Sequence, residues 1–338
     1  MRKTIIFLLM ASLLVLMGAG RKKKAIHIKL ATLAPEGSSP HLVLQNIKHR
    51  WEKATKDKVK ITIYAGGVFG DESDMVRKMR IGRLHAAAIT NEGLSYIHKG
   101  VYGLNLPMFV DNFEEMKWLR GKIAPTLEQK MSENGAKVLF WADVGWAYWF
   151  SKTPILSPKD LQKTKIFTWA GDAHSVRIWK KAGFKPVPLS AIDILPSLQT
   201  GMIESVAAPA IVAAPGQWFA VANNMLDVRW SPMIGAVVIS EKAWQEIPKK
   251  YHKKLLKIVE EEGANFAIEM QRDEQAAMSV MLENGLKIQR ADEEMILRWK
   301  QTARKFYPLL RGTLVDEMIF DKVMALEPML DSLRATKP

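Results

Sequence analysis

The 338-residue chain contains no cysteine. That one absence excludes a disulfide scaffold, an iron–sulfur cluster, a cysteine zinc site, a thiol nucleophile and a lipid-modified N-terminal cysteine. Histidine is scarce, and the seven residues at positions 27, 41, 49, 85, 98, 174 and 252 form no pair at metal-ligand spacing. Neither a metal site nor a cofactor is expected. No G-x-S-x-G elbow, H-E-x-x-H, P-loop or dinucleotide fingerprint occurs. The adjacent acids Glu114-Glu115, Glu260-Glu261-Glu262 and Glu293-Glu294 lie in helical patterns, where such neighbours face solvent. The chain reads as a binding protein rather than an enzyme.

Apolar residues make up 48% and charged residues 25%, the mix of a globular protein with a substantial core. The length allows about two domains. Lys and Arg number 49 against 35 Asp and Glu, a net charge of +14. The basic residues concentrate at Arg2, Lys3, Arg21–Lys24 and Lys249–Lys254 and are otherwise scattered. No stretch interleaves them with aromatics as an RNA-reading sheet does, so no nucleic-acid partner is expected.

One long apolar run stands at the N-terminus. Met1, Arg2 and Lys3 form a short positive region, Ile5 to Met17 an apolar stretch, and Gly18-Ala19-Gly20 a run of small residues. This is the pattern of a secretory signal over residues 1–20, and it is short for a membrane span. Arg21–Lys24 directly after the cut keeps an uncleaved anchor open as the alternative. Export without cysteine suits a periplasm.

The body repeats one unit. Val59–Tyr64 alternates as a strand, Asp71 caps a helix to about Arg80, Gly82 closes it, and Leu84–Ile89 reads as a buried strand. In the second half Phe184–Leu189, a helix over Ala191–Thr200 capped by Ser190, Gly201 and Met202–Ala208 follow the same order. Two related α/β lobes result, each with a mostly parallel sheet whose strand ends face a common cleft. From Pro248 to about Glu283 a helical pattern continues for roughly 50 Å, enough to span both lobes. Asp292–Phe306 and Thr313–Leu333 read as two further helices.

Tryptophan is concentrated between Trp141 and Trp230, and Phe140–Phe150 carries aromatics on both faces of a strand. Such a cluster offers an apolar ligand a large contact area at small entropic cost. It also suits the core of the second lobe, and for any single tryptophan the core is the commoner use.

The ordered strings Ile28–His41, Gly67–Glu72, Arg80–His85, Leu106–Phe109, Ser157–Gln162 and Gln199–Glu204, with the long helix, carry a resemblance. Over nearly the whole mature chain the sequence resembles the substrate-binding proteins of tripartite ATP-independent periplasmic (TRAP) transporters, the DctP-like family. The resemblance implies a two-lobed periplasmic binding protein with hinge strands and a long helix spanning both lobes. It also implies closure on a small-molecule ligand and delivery to a sodium-driven permease of small and large membrane subunits. Some relatives use a helical-repeat accessory protein. In most, a Lys-Ile-Arg tripeptide supplies the Arg that pairs with a ligand carboxylate; here the matching residues are Lys165-Ile166-Phe167. A second Arg near Ala147 and an acid or amide near Ala207 also look replaced, which marks an atypical subgroup lacking the carboxylate-binding Arg. A hydrophobic or non-carboxylate ligand is the expectation, with the organic-acid type or a sensor component as the alternative and an exported enzyme behind those.

The expected division is a signal peptide over 1–20, lobe I over 25–146 plus 236–270, and lobe II over 147–235 plus 271–338. Hinges are expected near Val144–Phe150 and Met233–Val237. The first lobe is expected to offer the ligand Thr32, Glu36, Ser38, His41, Phe69 and Asn91. The second is expected to offer Trp146, Trp149, Phe167, Trp169, Ala207 and Pro209.

Overall fold

The structure, a computed structural model, describes residues 25–335. The export segment expected over 1–20 and the basic run Arg21–Lys24 lie outside them.

β1 (Ile26–Thr32) is paired in parallel on one side by β2 (Val59–Tyr64) and on the other by β3 (Ala86–Thr90). Between β1 and β2 runs the helix Ser39–Thr55, which buries Val43, Leu44, Ile47, Trp51 and Thr55 at three- and four-residue steps. It ends where Lys56 turns left-handed at φ 52°. Trp51 is 1% exposed, and its indole N–H donates to Leu255 O at 3.3 Å, so this helix is fastened to the long helix Lys249–Glu283.

The second half repeats the arrangement. β5 (Lys165–Trp169) lies in parallel between β6 (Lys185–Leu189) and β7 (Ser205–Ala208). The helices that precede β3 and β7, Glu72–Arg80 and Ile194–Thr200, are followed by Gly82 and Gly201 at φ 71° and 74°. The duplicated unit read from the sequence is therefore present, with β1, β2 and β3 answering to β5, β6 and β7.

Two long strands join the halves. β4 (Ala136–Ser151) and β8 (Asn224–Ser240) are antiparallel to each other, β8 pairs with β3, and β4 pairs with β7. One mixed sheet results, in the order β2-β1-β3-β8-β4-β7-β5-β6, with β9 (Lys287–Arg290) added to the other end of β8. The β4–β8 register slips between Val138 and Phe140, Asp143 and Gly145, and Ala147 and Trp149. The first two leave one β4 residue unmatched and the third leaves Asp227–Trp230 of β8 without a partner on β4, irregularities that bend a strand. The last two fall in the segment where the strands pass from one half to the other.

The long helix spans 35 residues. Arg50 of Ser39–Thr55 pairs with its Glu261 and, at 2.7 Å, with Glu262. Twelve residues on, Glu274 accepts the N–H groups of Ala210 and Ile211 at 3.0 and 2.9 Å. The helix is thus tied to both halves. After it comes Glu293–Leu310, capped by the Asp292 carboxylate on Met295 N. The single helix expected over Thr313–Leu333 is two, Glu317–Ala325 and Glu327–Ala335. Pro328 has no N–H to give the carbonyl of Met324 and, near a helix start, needs no partner, so the chain restarts there.

Candidate ligand-binding site

A cavity of about 150 Å³ opens where strand ends of both halves meet. From the first half come Asn91, Glu92, Tyr102 and Asn105; from the second come Phe167, Thr168, Trp169, Asp172, Ser175, Trp179 and Ala207. The crossing strands add Ala147 and Trp149 from β4 and Trp230–Met233 from β8. A larger hollow of about 550 Å³ lies elsewhere, between Ser95–Lys99 and Gly312–Glu317. It lacks the converging aromatics and the strand ends that make a solute site, so the smaller cavity is the candidate.

Local chemistry sets each wall. The Glu72 carboxylate is buried and accepts three hydrogen bonds at 2.8 Å, from Thr90 N, Thr90 Oγ1 and Gly93 N. That clamp fixes the turn at the end of β3 and presents Asn91 and Glu92. Glu92 is 4% exposed and accepts from Tyr102 Oη at 2.6 Å and Tyr96 Oη at 3.1 Å. Burial pushes its carboxyl up to about 8; nearby Asp172 and Glu72 add to the rise, and the two tyrosine hydrogen bonds oppose it. Tyr102 is pushed well up, chiefly by its own burial and then by the neighbouring Glu92.

On the other wall β5 points Phe167 and Trp169 to one face, as alternation requires, and the rings meet edge to face at 5.3 Å and 71°. Asp172 then caps the helix Ala173–Lys181, its Oδ1 accepting Ser175 N–H at 3.0 Å. Trp179 on that helix packs against Trp149 at 5.9 Å and Trp230 at 6.1 Å. Trp149 lies opposite Ala207 in the β4–β7 pairing, which brings both to the cavity. Among the described residues no Lys or Arg lines it. Lys165, at the start of β5, donates instead to Gly201 O at 3.1 Å.

Five of the twelve expected site residues line the cavity: Asn91, Trp149, Phe167, Trp169 and Ala207. The other seven are not in its lining. Thr32 is buried at the end of β1, where its hydroxyl accepts Ala34 N–H at 3.2 Å. Glu36 is exposed, and the Ser38 hydroxyl donates to Pro35 O at 2.7 Å. The His41 ring accepts Gly37 N–H at 3.0 Å, so this loop folds on itself. Phe69 packs on Tyr64 at 4.7 Å with the Lys78 ammonium over its ring. Trp146 is 1% exposed and sits against Phe113 and the Arg229 guanidinium. Pro209 is buried beside Gly145 at the start of the short helix Ala210–Ala213.

Sequence reasoning missed Glu92, Tyr102, Asn105, Asp172 and Trp179. A signal existed for two of them. Asp172 follows Gly171 between a strand and a helix, a capping position at a strand end, and Glu92 stands one residue beyond Asn91.

A two-winged sheet with an aromatic cavity at the shared strand ends defines a two-lobed solute-binding protein of the periplasmic type. The profile described as bacterial extracellular solute-binding protein, family 7, matches residues 30–310, and the chain belongs to that family. It is 22% identical over 254 residues to the 2,3-diketo-L-gulonate-binding periplasmic protein YiaO of Escherichia coli, covering 74% of this chain and 76% of that one. A TRAP periplasmic solute-binding protein from Chromohalobacter salexigens with bound D-glucuronate superposes with a TM-score of 0.82 at 17% identity, covering 89% of this chain and 99% of that one. Another, from Sulfurospirillum deleyianum with bound succinate, gives 0.80 at 19% identity with the same coverage.

Proposed function

We propose that this chain is an exported solute-binding protein. It captures a small organic solute that is hydrophobic or lacks a carboxylate, and it passes that solute unchanged to the small and large membrane subunits of a TRAP-type permease. One observation carries the ligand reading: the lining has no Lys or Arg among the described residues, and Phe167 stands where the resemblance puts the carboxylate-pairing Arg. Taking a carboxylate out of water without a cationic partner costs several kcal/mol. An aromatic wall welcomes an uncharged ring or chain at no such cost. Closure would act through β4 and β8, two of whose three register slips fall between the halves.

The test is to extract the protein purified from its own periplasm and identify by mass spectrometry what comes with it. Titration with D-glucuronate and succinate accompanies this. The reading expects a non-carboxylate solute, recovered unchanged and in stoichiometric amount, and no tight binding of either acid. A co-purifying dicarboxylate or sugar acid would return the chain to the organic-acid type.

A further inference from the structure

Two carboxylates line the cavity. Glu92 enters from one half of the cleft and Asp172 from the other. Tyr102 Oη lies between them, 2.6 Å from Glu92 Oε2 and 3.4 Å from Asp172 Oδ2. A phenol has one proton to donate, and the short contact takes it. Asp172 Oδ1 is engaged by Ser175 N–H, which leaves Oδ2 with only the long contact. Three more lining residues hold a buried polar atom without a partner: Asn105 Oδ1 accepts, Thr168 Oγ1 can accept or donate, and Trp149 Nε1 donates. Each such buried atom weighs against the fold until it finds a hydrogen-bond partner. Although the chain carries 49 Lys and Arg, none of those described lines the cavity. Two carboxylates, one from each half, with no described cation in the lining leave a place for a positively charged group.

The same walls carry the rings of Trp149, Phe167 and Trp169. Aromatic faces attract cations, and more strongly where water is excluded. A hollow of about 150 Å³ holds a single aromatic ring or a body of similar size.

Building on the proposed solute site, we infer that its solute is an organic cation: a protonated amine seated between Glu92 and Asp172, with an apolar body against Phe167, Trp149 and Trp169. An arriving cation favours the ionised form of Glu92, whose carboxyl burial has pushed up to about 8. Glu72, Asp172, Tyr96 and Tyr102 are the titratable groups facing it. Uptake therefore expels a proton from Glu92, and affinity rises as pH approaches 8.

The test uses three probes of one shape on the full mature chain: phenethylamine, 2-phenylethanol and 3-phenylpropionate, titrated calorimetrically. At pH 8 the amine is expected to bind at least about tenfold tighter than the alcohol, with the acid weakest. Its affinity should fall up to roughly tenfold per unit as pH drops from 8 to 6. Asp172→Asn preserves the helix cap, since Asn caps as well as Asp, and should remove most of the preference for the amine. If that variant melts early, the pH profile of the unaltered protein decides instead. Equal binding of amine and alcohol, a flat pH profile, or no binding of either at millimolar concentration overturns the cation assignment. The non-carboxylate reading survives all three results. Tighter binding of 3-phenylpropionate overturns both.

Discussion

Phe167→Arg restores to this cavity the group that a carboxylate site needs, and its consequences can be worked from the walls. Phe167 is half-buried and its ring meets Trp169 edge to face at 5.3 Å. Losing that pair removes about 0.5–1.5 kcal/mol of wall packing. The guanidinium enters a hollow of about 150 Å³ that also contains Glu92 and Asp172, so it displaces solute volume and finds two anionic partners. Because those partners exist, folding should survive and the melting temperature should move by only a few degrees. Binding should not survive. Two like unit charges about 5 Å apart repel by about 3 kcal/mol at an effective dielectric of about 20. An uncharged solute escapes that repulsion but loses the room the new side chain takes. The solute that co-purifies with the parent protein should therefore bind at least about thirtyfold more weakly, about 2 kcal/mol. Calorimetric titration measures this, with succinate as a second ligand that should gain from a possible bidentate partner. A variant that melts like the parent and binds the solute with unaltered affinity takes Phe167 out of the site.

Three further outcomes are expected. Gly145 sits at a register slip with φ 145°, and an added Cβ would lie 3.2 Å from Pro209 Cβ and 3.3 Å from Glu274 Oε2. Gly145→Ala should cost about 1–3 kcal/mol in urea unfolding, and an unchanged midpoint would remove strain from the account of the crossing strands. Glu92 has its folded carboxyl raised from 4.5 to about 8, so its contribution to stability is full below about 4.5 and is lost as pH rises through 8. Unfolding free energy measured at pH 5 and pH 9 should fall less in Glu92→Gln than in the parent; equal slopes refute this. Glu274→Gln keeps one oxygen for two N–H donors and sets an amide N–H₂ against the other, for a loss of about 1–3 kcal/mol. Hydrogen exchange should quicken at Ala210 and Ile211, and unaltered protection there would show that the tie is made by something else.

The repeated unit was legible because its marks are local. Alternation in Val59–Tyr64, the helix–glycine–strand order and the apolar steps of the long helix depend on nearest neighbours alone. That the two units share one sheet was not legible, since the register of β4 on β8 and its slips are fixed by residues some ninety apart in sequence. The site divides in the same way. Asn91, Phe167, Trp169 and Ala207 stand at strand ends, where alternation and chain order place them. The Thr32–His41 loop also follows a strand, yet it spends its polar groups on itself, through His41 to Gly37 and Ser38 to Pro35. No pattern in ten residues distinguishes a loop that turns inward from one that faces a ligand. Trp146 and Trp149 make the same point, being three residues apart on one strand with a slip between them. Odd spacing on a regular strand would set them on opposite faces and the slip cancels that; both pack in the same core, and of the two only Trp149 also lines the cavity.

The long helix, fastened to Arg50 on one side and to Ala210 and Ile211 on the other, behaves as a leaf spring clamped at two points. About 18 Å of helix separates the clamps. A change of angle between the halves would have to bend that length, release a clamp or unseat Phe266 and Met270 from the core, so it would meet resistance in a part of the molecule remote from the cavity. Its outer surface carries Ile268, 62% exposed, midway along the sprung length. Curvature there would change with that angle, so closure about a cavity the size of one ring would be readable on the outside of the protein over some three helical turns.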